Sequence, residues 1–79
     1  MFFVYILRSL KDKDYYIGIS KDLKSRLIKH NLGGVYSTKS RKPFELVYSE
    51  EFSDYKDARL REIEIKSYKG GNSFRKLIN

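Results

Sequence analysis

The stretch Tyr15–His30, YYIGISKDLKSRLIKH, carries a phenol, a guanidinium and an imidazole at spacings that bring them together. It opens as a strand, since Tyr15, Tyr16, Ile17 and Ile19 are aromatic or β-branched, and Gly18 within the run marks a close approach by another backbone or a ligand. The chain then turns, with Ser20 or Asp22 able to cap a helix beginning near Leu23. Along that helix Leu23 and Leu27 recur at i, i+4, and Asp22, Arg26 and His30 follow the same spacing on another stripe. Tyr16, Arg26 and His30 are thereby delivered to neighbouring positions, which a hydrophobic core alone does not require. A fourth group comes from ARLREIEIK, where Arg59, Glu62 and Lys66 form a polar stripe between two apolar arcs. A carboxylate so placed is partly enclosed. It must pair with a cation, coordinate a metal or shift its pKa, because an isolated buried charge is too costly. Pattern alone favours an ion pair to Lys66 at i+4 or Arg59 at i−3.

Several elements must hold these groups. Phe2 to Arg8 places Phe3, Tyr5 and Leu7 on one face and Phe2, Val4 and Ile6 on the other, which predicts a central strand. Lys11 to Asp14 reads as a turn, and a two-residue loop at Asp12 and Lys13 gives a register that puts Tyr5 and Tyr16 on one face of the hairpin. Gly33 and Gly34 can supply a left-handed exit from the first helix. The loop VYSTKSRKP follows, rich in hydroxyls and cations, and Pro43 ends it. Phe44 to Phe52 reads as a third strand, with Phe44, Leu46 and Tyr48 on one face, and Ser53 as the cap of the next helix. That helix, about Asp54 to Tyr68, is expected to bury Tyr55, Ala58 and Ile65 on one arc and Leu60 and Ile63 on another, with Asp57, Arg61 and Glu64 outward. After Gly70, Gly71 and Asn72, a short helix bearing Phe74, Leu77 and Ile78 closes the core. The order β-β-α-β-α-α predicts an α+β domain with a small antiparallel sheet covered by helices.

At 79 residues the chain is expected to be a single domain, 1–79, with a thin core, since only about 60% of the unfolded surface can be buried at this size. No cysteine is present and there is one histidine, so disulfide staples and Cys/His zinc sites are excluded. A reducing, cytoplasmic setting fits. The apolar run Met1 to Leu7 is far short of the ~20 residues of a membrane span, and no membrane association is expected. Net charge is +7, and it is segregated: Lys21, Lys24, Arg26, Lys29, Lys39, Arg41 and Lys42 face a single acid, Asp22, between residues 21 and 42, whereas acids dominate from Glu45 to Asp57. Positive charge interleaved with hydroxyls and tyrosines is the footprint of a surface that meets phosphates.

Taken together, FVY at Phe3–Tyr5, YIG at Tyr16–Gly18, Arg26 and His30 on the first helix, and Glu62 in ARLREIEIK resemble the GIY-YIG nuclease family, and most of all its small single-domain bacterial members. The resemblance spans essentially the whole chain and rests on order and spacing. The second triplet is intact. In the first, Phe3 stands for glycine and Val4 for isoleucine, while Tyr5 is kept. The resemblance implies a three-stranded antiparallel sheet flanked by helices. It also implies hydrolysis of a DNA phosphodiester with one divalent metal, magnesium or another such as manganese.

On that resemblance the catalytic residues are Tyr5, Tyr16, Arg26, His30 and Glu62, with Glu62 the metal ligand. Arg26 would set a fixed positive fork against the phosphate. Tyr16 is the expected base, with His30, one turn from Arg26, positioning the water or taking its proton. Lys24, Lys29, Tyr36, Lys39, Arg41 and Lys42 are the expected nucleic-acid contacts, gripping backbone phosphates without reading bases. Branched or distorted DNA, as met in repair or recombination, is then the expected substrate, with specificity supplied in part by a protein partner. Two other readings stand beside this one. The first is a nucleic-acid-binding module that keeps the fold without turnover, and the second is a subunit whose basic surface meets an acidic protein.

Overall fold

The computed structural model describes residues 1–78. Its elements are β1 (Phe2–Ser9), β2 (Tyr15–Ser20), α1 (Leu23–Asn31), a 3₁₀ helix (Tyr36–Arg41), β3 (Phe44–Phe52), α2 (Tyr55–Ser67) and α3 (Asn72–Ile78). The strands form one antiparallel sheet in the order β2-β1-β3. The α+β architecture expected from the pattern is thus the observed one, with the hydroxyl-rich loop wound into the 3₁₀ helix. Among the described residues no helix is long and apolar enough to cross a membrane.

β1 is central because both its faces are apolar. Val4 and Ile6 join Ala58, Ile65 and Phe74 in the larger core, against which Leu77 and Ile78 of α3 also pack. Tyr5 and Leu7 join Phe44 in a second, smaller cluster, covered by Tyr16, Leu23 and Leu27. The sheet therefore has two buried faces. α2 and α3 close one, and α1 closes the other.

The β1–β2 connection is longer than the two residues expected. Ser9 pairs with Asp14 across the loop 10–13, and Lys13 takes a left-handed φ of 64°. Buried Ser9 organises this loop, its Oγ accepting from the backbone N–H groups of Lys11 and Asp12. The register still pairs residues of odd sum, Tyr5 with Gly18 and Leu7 with Tyr16. Lengthening the loop by two moves the register without swapping faces, so Tyr5 and Tyr16 share one.

β3 departs from strict alternation. Ile6 pairs with Tyr48 and Leu7 with Leu46, so a bulge at Val47 adds one residue to β3. Phe44 faces the Tyr5 cluster, while Tyr48 and Phe52 pack on the other core. The three residues expected on one face are thus split between two.

α2 is rotated from the expected orientation. It buries Ala58, Glu62 and Ile65, whereas Leu60 and Ile63 are 58% and 49% exposed. Arg61, expected outward, turns onto β3: its Nε donates to Glu50 Oε1 at 2.7 Å and its Nη1 to Glu64 Oε1 at 2.7 Å. Methyl-sized Ala58 lets the helix approach the sheet, and a pairing partner on β3 holds the guanidinium there. The helix is capped by Asp54, whose side chain accepts from Lys56 N–H at 3.2 Å, in place of Ser53.

Candidate active site

α1 begins at the Asp22 cap, which accepts from Ser25 N–H at 3.1 Å. It ends where Gly33, at φ 78°, donates to His30 O at 3.1 Å and Gly34 donates to Lys29 O at 2.9 Å. This paired closure fixes the last turn, and with it the His30 backbone, against the second cluster. Leu23 and Leu27 hold the helix down on that face. Arg26 and His30 consequently reach Tyr5 from one side.

The Tyr5 hydroxyl is the hub. Arg26 Nε donates to it at 3.3 Å, and His30 Nε2 lies 3.1 Å from it. On the far side of the imidazole, Nδ1 is 2.7 Å from Thr38 Oγ1, and that hydroxyl lies 3.4 Å from Val35 O. Tyr16 and Phe44 wall the same ring, with centroids 4.9 and 5.8 Å from it. Burial pushes the Tyr5 phenol above its ordinary pKa; the Arg26 hydrogen bond opposes this, and the charges of Tyr16 and Glu62 add to it. Arg26 is in turn held more firmly protonated, chiefly by its bond to Tyr5.

Gly18 is required by the same phenol. A Cβ built there would lie 2.6 Å from Tyr5 Oη and 2.8 Å from Cζ. The ring cannot step aside, since it is buried and held by two hydrogen bonds. The close approach expected at this glycine is thus made by a side chain. Gly18→Ala is expected to cost roughly 1–3 kcal/mol through overpacking and to break the Tyr5 contacts to His30 and Arg26. Denaturant melts, together with loss of the shared Tyr5–His30 cross-peaks in NMR spectra, check this.

Tyr5, Tyr16, Gly18, Arg26, Arg59 and Glu62 are among the walls of one cleft of about 470 Å³. Glu62 is 7% exposed. Its Oε1 pairs with Arg59 Nη1, and Lys66 Nζ lies 3.3 Å from Oε2. Both ion-pair partners expected from the helical spacing are therefore present, and they are half-exposed side chains able to swing outward. The donor set suits magnesium, which is commonly held by one or two carboxylates and otherwise keeps its waters. Glu62 offers one hard carboxylate at a wide opening, and no three His, Asp or Glu side chains converge to cage an ion among the described residues.

His30 is placed differently from the expectation that it meets the attacking water. It has no exposed surface and does not line the cleft, which it reaches through the Tyr5 hydroxyl. Burial, with Arg26 and Lys29 nearby, lowers its pKa from 6.5 to about 4. The linkage sign is set by a depressed folded value. Above pH 6.5 both states are neutral, and as pH falls below it the unfolded chain binds a proton that the folded chain refuses until about 4. Stability is expected to decline across that window by up to about 3 kcal/mol from this residue. Urea titrations of the native chain and of His30→Gln across the window should differ in slope there, and parallel curves would refute the point.

The expected nucleic-acid contacts divide. Tyr36, 95% exposed, shares a surface hollow with Lys39 and Lys42, and Lys24 and Lys29 are exposed on α1. Arg41 differs: its Nε donates to Asp12 Oδ2 at 2.9 Å and its Nη2 to Tyr15 O at 3.2 Å. Its fork is occupied in fastening the 3₁₀ helix to the β1–β2 hairpin, which removes it from the free cations. Two further side chains, Arg59 and Thr38, belong to the site. Arg59 was legible as a member of the polar stripe, whereas Thr38 was one of several hydroxyls in a loop with no periodicity to single it out.

The family model for the GIY-YIG catalytic domain matches residues 1–75, and the chain belongs to the GIY-YIG nuclease family. Within it, the chain is similar to small proteins of the UPF0213 group. It is 48% identical over 67 residues to one from Staphylococcus epidermidis and 45% identical over 67 residues to one from Staphylococcus saprophyticus. Each match covers 84% of this chain and 80% of the relative. The solution NMR structure of a UPF0213 protein from Bacillus halodurans aligns with a TM-score of 0.50 at 35% identity, covering 92% of this chain and 90% of that one.

Proposed function

We propose that this protein is a metal-dependent DNA endonuclease that hydrolyses a phosphodiester bond, acting as a single domain in the cytoplasm on branched or otherwise distorted DNA in repair or recombination. The observation that carries the reading is the convergence of Tyr5, Tyr16, Arg26 and Glu62 on one cleft in a chain of net charge +7. Magnesium or manganese held by Glu62 would polarise the scissile phosphate and stabilise the leaving oxygen.

The remaining chemistry belongs to the side chains. Arg26 spends its Nε–H on Tyr5, so its terminal nitrogens face the phosphate as negative charge builds. Tyr16, more open than the buried Tyr5, is the base and acts as the phenolate, its own proton already lost to solvent: it takes a proton from the water whose oxygen attacks phosphorus, and the P–O bond to the leaving sugar oxygen breaks, that oxygen taking a proton from solvent. Tyr5, between Arg26 and His30, holds the guanidinium in place. His30 assists from behind, through Tyr5. Lys24, Lys29, Lys39 and Lys42 grip backbone phosphates, and Tyr36 offers a face on which a base can stack. Such contacts favour DNA shape over sequence, and a protein partner would add selectivity.

Flapped and branched duplexes incubated with the protein in magnesium should be nicked, and chelator should abolish nicking. A second reading, a DNA-binding module without turnover, is favoured by the pairing of both Glu62 oxygens with Arg59 and Lys66. It predicts salt-sensitive binding and no metal-dependent cleavage.

A further inference from the structure

Thr38 is the inward-facing residue of the 3₁₀ helix. It has no exposed surface, whereas Tyr36, Ser37, Lys39 and Ser40 around it are exposed. Its hydroxyl sits on the opposite edge of the His30 ring from Tyr5. A neutral imidazole has one N–H and one lone pair, so whatever Thr38 requires of Nδ1 decides what Nε2 can offer Tyr5.

The hydrogens can be counted. If the Thr38 O–H points to Val35 O, its oxygen accepts from His30 Nδ1–H, and Nε2 then accepts the Tyr5 O–H. Tyr5 oxygen is left free to accept from Arg26 Nε. Every hydrogen in that chain has an acceptor. In the opposite arrangement Thr38 donates to Nδ1 and Nε2–H donates to Tyr5, whose own hydrogen has no acceptor among these groups while its oxygen receives two donors. Buried polar groups avoid such a shortfall, because an unmet donor costs the full desolvation of the group.

We propose that Thr38 is a positioning residue: by holding His30 as the Nδ1–H tautomer it makes Nε2 the acceptor that fixes the Tyr5 hydroxyl, and through it the Arg26 guanidinium, in the cleft. The step from hydroxyl orientation to cleavage rests on the nuclease reading above, whereas the tautomer itself does not. The hydroxyl-rich segment thus has two faces of different use. Its outward side chains are exposed, and its one inward hydroxyl sets a proton position on His30, directly behind the Tyr5 wall of the cleft.

The test uses Thr38→Val, which keeps the shape and removes the hydroxyl, and Thr38→Ser, which restores it. Long-range ¹H–¹⁵N spectra of the His30 ring at neutral pH read the tautomer directly. The native chain and Thr38→Ser should show a protonated Nδ1 and an unprotonated Nε2, and Thr38→Val, in which an Nδ1–H has no acceptor, should lose that single-tautomer signature. In cleavage assays Thr38→Val should lower kcat, on the order of 10²-fold if Arg26 is displaced, with KM little changed, and Thr38→Ser should recover most of it. A native spectrum with Nε2 protonated, or a Thr38→Val spectrum with the native tautomer, would overturn the assignment. A tautomer population changed by Thr38→Val without change in kcat would overturn the link to cleavage. The native spectrum decides the first point even if a variant fails to fold, and absence of cleavage by the native protein would sink the nuclease reading while leaving the tautomer result standing.

Discussion

Arg26→Ala is expected to reduce DNA cleavage by about 10²–10³-fold, the usual effect of removing one donor aimed at developing charge, while the protein stays folded. The asymmetry follows from how the side chain is held. The Arg26 side chain is half-buried on α1, and its Nε donates to Tyr5 at 3.3 Å. Losing that bond costs about 1 kcal/mol. Its remaining capacity is directed at the cleft, where no other cation touches the Tyr5 hub among the described residues. Arg26→Lys should recover little, since an ammonium offers neither the Nε contact to Tyr5 nor a planar fork for phosphate. Single-turnover cleavage of a flapped duplex alongside thermal melts checks both halves. Near-native turnover by the alanine variant, in preparations freed of other nucleases, would remove Arg26 from the mechanism.

Glu62→Gln is expected to abolish metal-dependent nicking to the limit of detection and to leave DNA affinity equal or higher. The amide keeps the size of the side chain and its buried position but loses the charge that makes Glu62 a hard ligand. Arg59 and Lys66 lose their ion-pair partner, yet both are about half exposed, so solvent screening keeps the stability change small. The two freed cations and the net gain of one positive charge strengthen phosphate binding. Affinity measured by fluorescence anisotropy over a salt series, beside cleavage in magnesium and in manganese, separates the two proposed readings. A protein that merely binds DNA shows no cleavage to lose, and one that cleaves shows binding and turnover moving in opposite directions.

The sequence was informative where one local rule decided the outcome. Apolar residues on both sides of Phe2 to Arg8 could only belong to a middle strand, and the i, i+4 spacing of Arg26 and His30 on a capped, glycine-terminated helix carried them to the same hub. It was less informative where the outcome depended on a partner element. The bulge at Val47 arises from the fit of β3 to β1 and to two different cores, which alternation along one strand cannot reveal. The roll of α2 depends on Ala58 meeting the sheet and Arg61 meeting Glu50, both long-range events, so Leu60 and Ile63 read as core residues but lie outside. His30 followed its spacing correctly in position. Its seclusion behind Tyr5 depends on Phe44 and Thr38, which arrive from beyond the double-glycine break.

The extra residue in β3 makes one strand the shared wall of two rooms. On one side of Val47, Phe44 presses on the imidazole that steadies the Tyr5 hydroxyl; on the other, Tyr48 and Phe52 serve the bulk of the hydrophobic interior. Removing that residue would restore plain alternation and turn one stretch of the strand inside out, so a single deletion outside the cleft would unseat Phe44 from the His30 ring. Length at this point is therefore as much a part of the architecture around Tyr5 as any charged group.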